Sequence, residues 1–471
     1  MRGTCSRVLF ESVDGISWAC RRDEMNICES ALRIRRRNHL SEMREKASTE
    51  SFHVTMSYTP QQQAIVDVDL ASNDVVVVSA RAGTGKTHTL KGLSNRSTKS
   101  YVYITFNVSM AESSPIQPAS TLDALVLELY ERDHGKVEIV DVLEISHPDA
   151  AIIRATIHNW CCSADAELSE HHVPASNKAL KDIAVAVVSQ SLCAKKMTHT
   201  LLQVYAPPIP YHTILVDEAQ DLNSRQLHYL LRHGGPRVFI GDPHQSIYSF
   251  RGTSGCMNTL VECATKRFEL THSFRFGPEI ANVANAVLCL KNVEGDVVGV
   301  GKTSRVLKND VDVVPDAILA RTKLGLFRAL IQFHTRHRVD YVVFGRCKDT
   351  FERWLKLAST DTSGCSKYDA RALRLIPRDG GVLVKSLKNH LSTRGVVFCT
   401  AHHSKGLEFD MVSLAEDFRG VVQRVAPAYE SKTSAMYVKR SNMEELNINY
   451  VAITRARKTL LVNTSINSLI Q

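Results

Sequence analysis

The sequence predicts an α/β protein of parallel sheets covered on both faces by helices, and three observations predict it. The apolar run Val75-Val76-Val77-Val78 leads directly into Ser79-Ala80-Arg81-Ala82-Gly83-Thr84-Gly85-Lys86-Thr87 and a segment carrying Leu90 and Leu93, which reads as strand, loop and helix. From Thr59 onward, strand-like and helix-like stretches alternate. Two later strands, at Thr213 to Val216 and Arg237 to Ile240, end in Asp217-Glu218 and Gly241-Asp242, the end at which open parallel sheets hold their ligands.

The loop after the first strand has the chemistry of a phosphate cradle. Small residues (Ala82, Gly83, Thr84, Gly85) let backbone N–H groups turn inward on an anion, and the helix N-terminus adds partial positive charge. Lys86 can reach β- and γ-phosphates and Thr87 can ligate Mg²⁺. Ala80 stands at the first loop position, where glycine is the usual residue. A nucleotide site for ATP with Mg²⁺ is expected.

At 471 residues the chain is too long for one core and suits two or three domains. No apolar run approaches the roughly 20 residues that span a bilayer. The first twenty residues mix Arg2 and Arg7 with Glu11 and Asp14 around no sustained apolar core, so neither a secretory signal nor a transit peptide is expected. An intracellular protein without a membrane partner follows as the expectation. The formal charge of +9 admits a polyanion partner without demanding one. Twelve cysteines are scattered, with no Cys-x-x-Cys, so zinc, iron–sulfur and disulfide frameworks are not expected.

Taken in order, residues 1 to 55 read as a mixed-charge extension; its Arg33 and Arg35-Arg36-Arg37 leave a nuclear-targeting or DNA-touching arm as the alternative to poor order. Met56 immediately precedes the patterned sequence and is a candidate start. A first core is expected over 56–265, with strands at Val75–Val78 and Tyr101–Phe106 and a more helical insertion at about 121–203. A second is expected over 266–471, its strands beginning near Phe268 and continuing at Ala317–Ala320, Tyr341–Phe344, Val396–Thr400, Met411–Ala415 and Thr459–Val462. A basic, Ser- and Gly-interrupted stretch at about 347–394 is the candidate small insertion in it.

Adjacent carboxylates at the tip of Thr213–Val216 suit metal binding by Asp217 and water activation by Glu218. Next comes Phe239-Ile240-Gly241-Asp242-Pro243-His244-Gln245-Ser246-Ile247-Tyr248-Ser249-Phe250-Arg251-Gly252. Together with the phosphate loop and Val216-Asp217-Glu218-Ala219-Gln220-Asp221, this order resembles the UvrD/Rep branch of superfamily 1 helicases. Leu270-Thr271-His272-Ser273-Phe274-Arg275-Phe276-Gly277 is similar, within that branch, to the F-box DNA helicase group. Two further motifs extend the resemblance to Val462: Thr400-Ala401-His402-His403-Ser404-Lys405-Gly406-Leu407-Glu408-Phe409, and Tyr450-Val451-Ala452-Ile453-Thr454-Arg455-Ala456.

The resemblance implies two RecA-like P-loop NTPase cores sharing one ATP. Gln62 matches the residue that reads the adenine edge, the run of three glutamines leaving the register open by one, and Phe274 matches an aromatic that stacks on adenine. Gln245 matches the residue coupling γ-phosphate to the DNA path, while Arg275 and Arg455 match two arginines that reach the γ-phosphate. Always-charged planar guanidinium forks suit that task. Gly406 and Glu408 would border the nucleotide.

For nucleic acid, Thr105, Phe106 and Asn107 match the motif that lays single strand across the first core, and Tyr248 and Phe250 fall in the motif that stacks bases, Phe250 standing where relatives often have Trp. Arg321, Thr400 and His402 match backbone-facing positions. Thr121 is carried over, but Asp123, where relatives show His, would repel phosphate. No F-box is recognisable before Thr59, so ubiquitin-ligase behaviour is not carried over. The expected activity is ATP-driven 3′ to 5′ movement on single-stranded DNA with unwinding of partly duplex DNA, in repair, recombination or replication. Translocation that strips bound proteins with little unwinding is the first alternative, and a DNA-binding module with weak ATPase the second.

Overall fold

A computed structural model describes residues 58–135, 150–165, 167–174, 202, 205–249, 253, 255–293, 295–309, 312–359, 365–377, 380–418 and 440–470. The expectations for residues 1–55, Met56, Phe250 and much of the 121–203 insertion lie outside them. Two compact units form, one from Ser57–Pro315 with Ser404–Gln471 and one containing Asp316–His403. Each is described by itself.

The larger unit begins with α1 (Pro60–Val66), whose start is specified by Thr59: its hydroxyl accepts from the Gln62 amide, and the Gln62 side chain returns to the Thr59 N–H. A six-stranded sheet follows, of β1 (Val75–Ala80), β2 (Tyr101–Thr105), β3 (Ala119–Thr121), β4 (Thr213–Val216), β5 (Arg237–Gly241) and β6 (Lys266–Leu270). The spatial order is β3-β2-β4-β5-β1-β6 and every pairing is parallel. β-branched residues on both faces make β1 a central strand: Val76, Val78 and Ala80 pack with Leu90 and Leu93 of α2 (Lys86–Arg96), while Val75 and Val77 pack with Leu125 and Leu129 of α3 (Leu122–His134). Register aligns Val78 with Ile240 and Val216 with Phe239, so β4, β5 and β1 end side by side at one edge.

Lys266–Leu270 differs from expectation. It does not open a second series of strands but pairs with β1, from Val76 opposite Lys266 to Ala80 opposite Leu270. The Thr265 N–H donates to Val75 O, and the Lys266 ammonium reaches Asp74 at 2.7 Å. Apolar alternation reveals a strand but not its neighbour; these polar ties choose it. After β7 (His272–Ser273) and α4 (Pro278–Cys289), a short parallel pair closes with β8 (Val298–Gly299), and β9 (Arg305–Lys308) runs beside a later strand.

In the smaller unit β10 (Ala317–Ala320) is followed by α5 (Lys323–His337), capped by the Thr322 hydroxyl on the Gly325 amide. Then come β11 (Tyr341–Val343), α6 (Cys347–Leu357), α7 (Lys367–Leu373), α8 (Gly381–His390) and β12 (Val396–Thr400). The strands β11, β12 and β10 lie parallel in that order. Asp316–His403 holds sixteen Lys and Arg against seven Asp and Glu, an excess of nine that equals the formal charge of the whole chain. Back in the larger unit, β13 (Phe409–Leu414), α9 (Arg440–Ile453), β14 (Ala456–Val462) and α10 (Thr464–Ile470) complete the fold, with β13 and β9 parallel to β14 on either side. Among the described residues no helix is long and apolar enough to cross a membrane.

The smaller unit's helices are tied by one buried carboxylate. Asp369 accepts from the Trp354 indole N–H and from Arg353, each at 2.7 Å, and from the Ser366 hydroxyl at 2.8 Å. Asp369→Ala leaves the fully buried Trp354 donor unmet and is expected to cost about 1–3 kcal/mol. Denaturant unfolding followed by tryptophan fluorescence checks this; an unchanged midpoint would mean that the indole needs no acceptor.

Candidate active site

The phosphate loop is shaped by two left-handed glycines, Gly83 at φ +76° and Gly85 at φ +78°. A Cβ on Gly83 would come within 2.5 Å of the Ser273 hydroxyl and 2.6 Å of the Arg275 Cβ, because β6 brings that segment against the loop and the Phe274 N–H donates to Gly83 O at 2.9 Å. The Gln62 amide donates to Thr84 O at 3.1 Å. Gln61 instead bonds Thr271 and Gln63 bonds Asp67, so of the three glutamines Gln62 is the one bonded to the loop. The Ala82 amide points to the Tyr450 hydroxyl at 3.2 Å. Lys86 and Thr87 open α2, where the helix N-terminus favours anions.

At the tip of β4 the acids are held by complementary groups. Asp217 is 3% exposed; its Oδ2 accepts from the Thr87 hydroxyl at 3.0 Å and the Tyr103 hydroxyl at 2.7 Å, and its Oδ1 from the Glu218 N–H at 2.8 Å. Glu218 has the left-handed φ of +55°, an uncommon conformation for a residue with a side chain, which turns its carboxylate to Lys86 at 3.4 Å. Burial pushes the Glu218 carboxyl up, but the charges of Lys86 and Lys405 outweigh it and hold it down at about 2. Burial and the neighbouring Glu218 charge raise Asp217. Lys86, which burial alone would pull down, is raised because Glu218, Asp217 and Asp242 surround it.

From β5, Asp242 accepts from the Gln245 side chain at 2.7 Å. The Gln245 Oε1 in turn accepts from Arg455 at 3.1 Å, and Arg455, 1% exposed, also donates to Val451 O. Arg275 is held by Glu408 at 2.6 Å and by Thr454 O at 2.9 Å. Lys405 joins Asp221 at 2.5 Å, the Gln245 carbonyl at 2.8 Å and Glu218 at 3.9 Å, and lies 5.1 Å from the Tyr248 ring centroid. Burial, opposed by Lys405, raises Asp221 to about 6. A second buried chain runs from Arg81 through His244 to Lys291, at 2.9 and 2.6 Å.

Thus Lys86, Thr87, Asp217, Glu218, Gln245, Arg275, Arg455, Gln62 and the loop residues Ala82–Gly85 form one connected set within the larger unit. The oxygen donors of Thr87 and Asp217 suit a hard cation such as Mg²⁺: the Thr87 hydroxyl gives its proton to Asp217 and keeps its lone pairs. Phe274 is 49% exposed, and Gly406, at φ +83°, faces open space. Phe106 stacks on Tyr248 at 5.3 Å and 11°; Thr105 is buried, with its hydroxyl on Asn107 O, while the Asn107 and Thr121 side chains cap helices. In the smaller unit Arg321 and His402 are half-buried, and the Thr400 hydroxyl meets His403 at 2.8 Å. Sequence reasoning passed over Tyr103, Asp221, Asp242 and Lys405. The last three lie inside the quoted motifs, whereas Tyr103 carries no signal beyond its place in a strand.

One cluster elsewhere has metal-like composition. Asp165 meets His171 at 2.7 Å and His172 at 3.1 Å. The Ser169 N–H donates to His172 Nδ1, which puts the proton of a neutral ring on Nε2, facing Asp165. The cluster reads as a hydrogen-bonded clasp.

Parallel sheets, a phosphate loop and an acidic strand tip beside it are the arrangement of a P-loop nucleotide site in an α/β fold. Comparison with known families is more particular: residues 152–260 match the UvrD/REP helicase N-terminal domain and residues 371–467 the UvrD-like helicase C-terminal domain. Two separate stretches of the chain are thus similar to the N- and C-terminal domains of UvrD-like helicases. F-box DNA helicase protein 1 of Schizosaccharomyces pombe is 26% identical over 88% of this chain and 58% of its own length. F-box DNA helicase 1 of Gallus gallus is 27% identical over 88% of this chain and 49% of its own. The chain therefore spans about half the length of these curated relatives. A probable DNA helicase of Mycoplasma pneumoniae is 29% identical over 57% of this chain and 46% of its own length.

Arg455→Ala is expected to retain nucleotide binding while turnover falls by roughly 10³ or more, the loss typical of a phosphate-facing arginine. Single-turnover hydrolysis with a parallel binding titration reads the two effects apart; near-normal turnover would remove Arg455 from the hydrolytic set.

Proposed function

We propose that the chain is an ATP-dependent DNA helicase that moves 3′ to 5′ on single-stranded DNA and opens partly duplex DNA, in repair, recombination or replication. The observation that carries this reading is the connected set of Lys86, Asp217–Glu218, Gln245, Arg275 and Arg455 around one phosphate loop. ATP would be held by the loop amides and Lys86, with Gln62 and Phe274 toward the base and Gly406 and Glu408 at the border. Thr87 and Asp217 would hold Mg²⁺, which when bound supplies Lewis-acid stabilisation of phosphoryl charge.

Glu218, ionised and fixed by Lys86, Lys405 and Gln220, is suited to orienting a water rather than to removing its proton early, which is what a loose phosphoryl-transfer transition state needs. Arg275 and Arg455 are paired with Glu408 and Gln245, polar partners that a γ-phosphate can replace. Lys405 touches the acids on one side and the Tyr248 ring on the other, and Tyr248 stacks on Phe106. A base that entered this aromatic pair would be felt at Glu218 through one side chain. That differential contact is how a ligand biases a two-state motor. The excess of nine positive charges in Asp316–His403 favours a polyanion. Polarity rests on the family resemblance alone.

A forked duplex with a 3′ tail should be unwound in the presence of ATP and Mg²⁺, a 5′-tailed one should not, and Lys86→Ala should abolish the reaction. DNA-stimulated hydrolysis without strand separation would instead favour a translocase that strips bound proteins. Unwinding by Lys86→Ala at the wild-type rate would contradict the reading.

A further inference from the structure

Tyr103 occupies a place where an apolar residue would satisfy the fold. It lies in β2 with 1% exposure, and its ring packs among Leu90, Leu93 and Leu215 beneath α2. A phenol in such a site needs a partner. The parallel register supplies one: β2 runs beside β4, Tyr103 opposite Leu215 and Ile104 opposite Val216, and the Asp217 N–H donates to Ile104 O at 2.9 Å. The phenol therefore emerges under the strand tip and donates to Asp217 Oδ2 at 2.7 Å. The same oxygen takes the Thr87 hydroxyl, and Oδ1 takes the Glu218 amide. The carboxylate is fixed by one donor from the sheet, one from α2 and one from its own backbone.

These contacts are unequal in what they permit. Thr87 stands in the first turn of α2 next to Lys86, and Glu218 in the left-handed turn after β4, both on the side of the phosphate loop that a bound nucleotide would reorder. Tyr103 is locked in the core and cannot follow. It is the one of the three donors whose position the core fixes whatever happens in the site. Its burial and the adjacent Asp217 charge push its acidity down, so it stays a donor.

We propose that Tyr103 is a positioning residue for the divalent-cation site, acting through Asp217 by holding its carboxylate in one orientation for Mg²⁺. The proposal rests on the ATPase reading above. Phenylalanine at 103 would fill the same volume and donate nothing, so Tyr103→Phe separates packing from hydrogen bonding.

The test is Mn²⁺ binding to the ADP-bound protein, followed by electron paramagnetic resonance without turnover, in wild type, Tyr103→Phe, Asp217→Asn and the double variant. Tyr103→Phe is expected to weaken Mn²⁺ binding by roughly tenfold, as loss of an outer-shell partner does, while ADP binding in chelator stays unchanged. In the Asp217→Asn background the second substitution should add nothing, since the tyrosine works through that carboxylate. Tyr103→Met, apolar and flexible, gives the same reading should the phenylalanine variant fail to fold. Mn²⁺ affinity within twofold of wild type in the hydroxyl-free variants would overturn the inference alone. Wild-type protein that binds no Mn²⁺ with ADP would overturn the ATPase reading together with it.

Discussion

Everything in the site depends on three parallel strands that end together. β1 delivers the phosphate loop, β4 the two acids and β5 Asp242, and only the parallel register of β4, β5 and β1 sets those tips at one edge. The strands are buried on both faces, and backbone bonds at their starts, the Arg237 N–H on Asp74 O and the Ile214 N–H on Pro236 O, help to set where each one begins. The edge strand β6 then matters more than its size implies. By pairing with β1 it carries Ser273, Phe274 and Arg275 past Gly83, at a distance that admits no Cβ.

Around those tips the molecule concentrates charge that would be costly if unpaired. Lys86, Asp217, Glu218, Asp221, Lys405 and Arg455 are all largely buried, and each is paired with another member, with the Thr87 or Tyr103 hydroxyl or with a backbone carbonyl, although Asp221 is paired through Oδ2 alone and its buried Oδ1 meets no partner among the described residues. Such networks contribute little net stability, but removing one partner strands another charge in a poorly solvated place. This gives the site a definite resting arrangement. Bound phosphate would not meet free cations; it would exchange with Glu218, Glu408 and Gln245 for cations already oriented. The energetic difference between the two pairings would be what a bound nucleotide has available to change the protein.

The strands Thr213–Val216, Ala317–Ala320 and Val396–Thr400 were legible because each is an apolar run stopped by polar residues, and they occupy the residues expected. The phosphate loop was legible for the same local reason. Lys266–Leu270 was legible as a strand but not as a member of the first sheet, since its partner is chosen by contacts with Asp74 and Val75 some 190 residues earlier. The residues of the site could be named from motifs, but not which acid faces which base. Lys405 pairs with Asp221 across 184 positions of sequence, and Tyr103 with Asp217 across 114. A tyrosine in a strand is a packing residue until its partner is known.

The central claim is that events at the phosphate loop and at the nucleic-acid path are one process. Phosphate release measured on purified protein with and without single-stranded oligonucleotide tests it most directly. The account predicts hydrolysis that rises severalfold or more with the oligonucleotide and a stimulation that fades as salt is raised. Phosphate release at the same rate with and without the oligonucleotide, at low salt and with ATP and Mg²⁺ in excess, would contradict it.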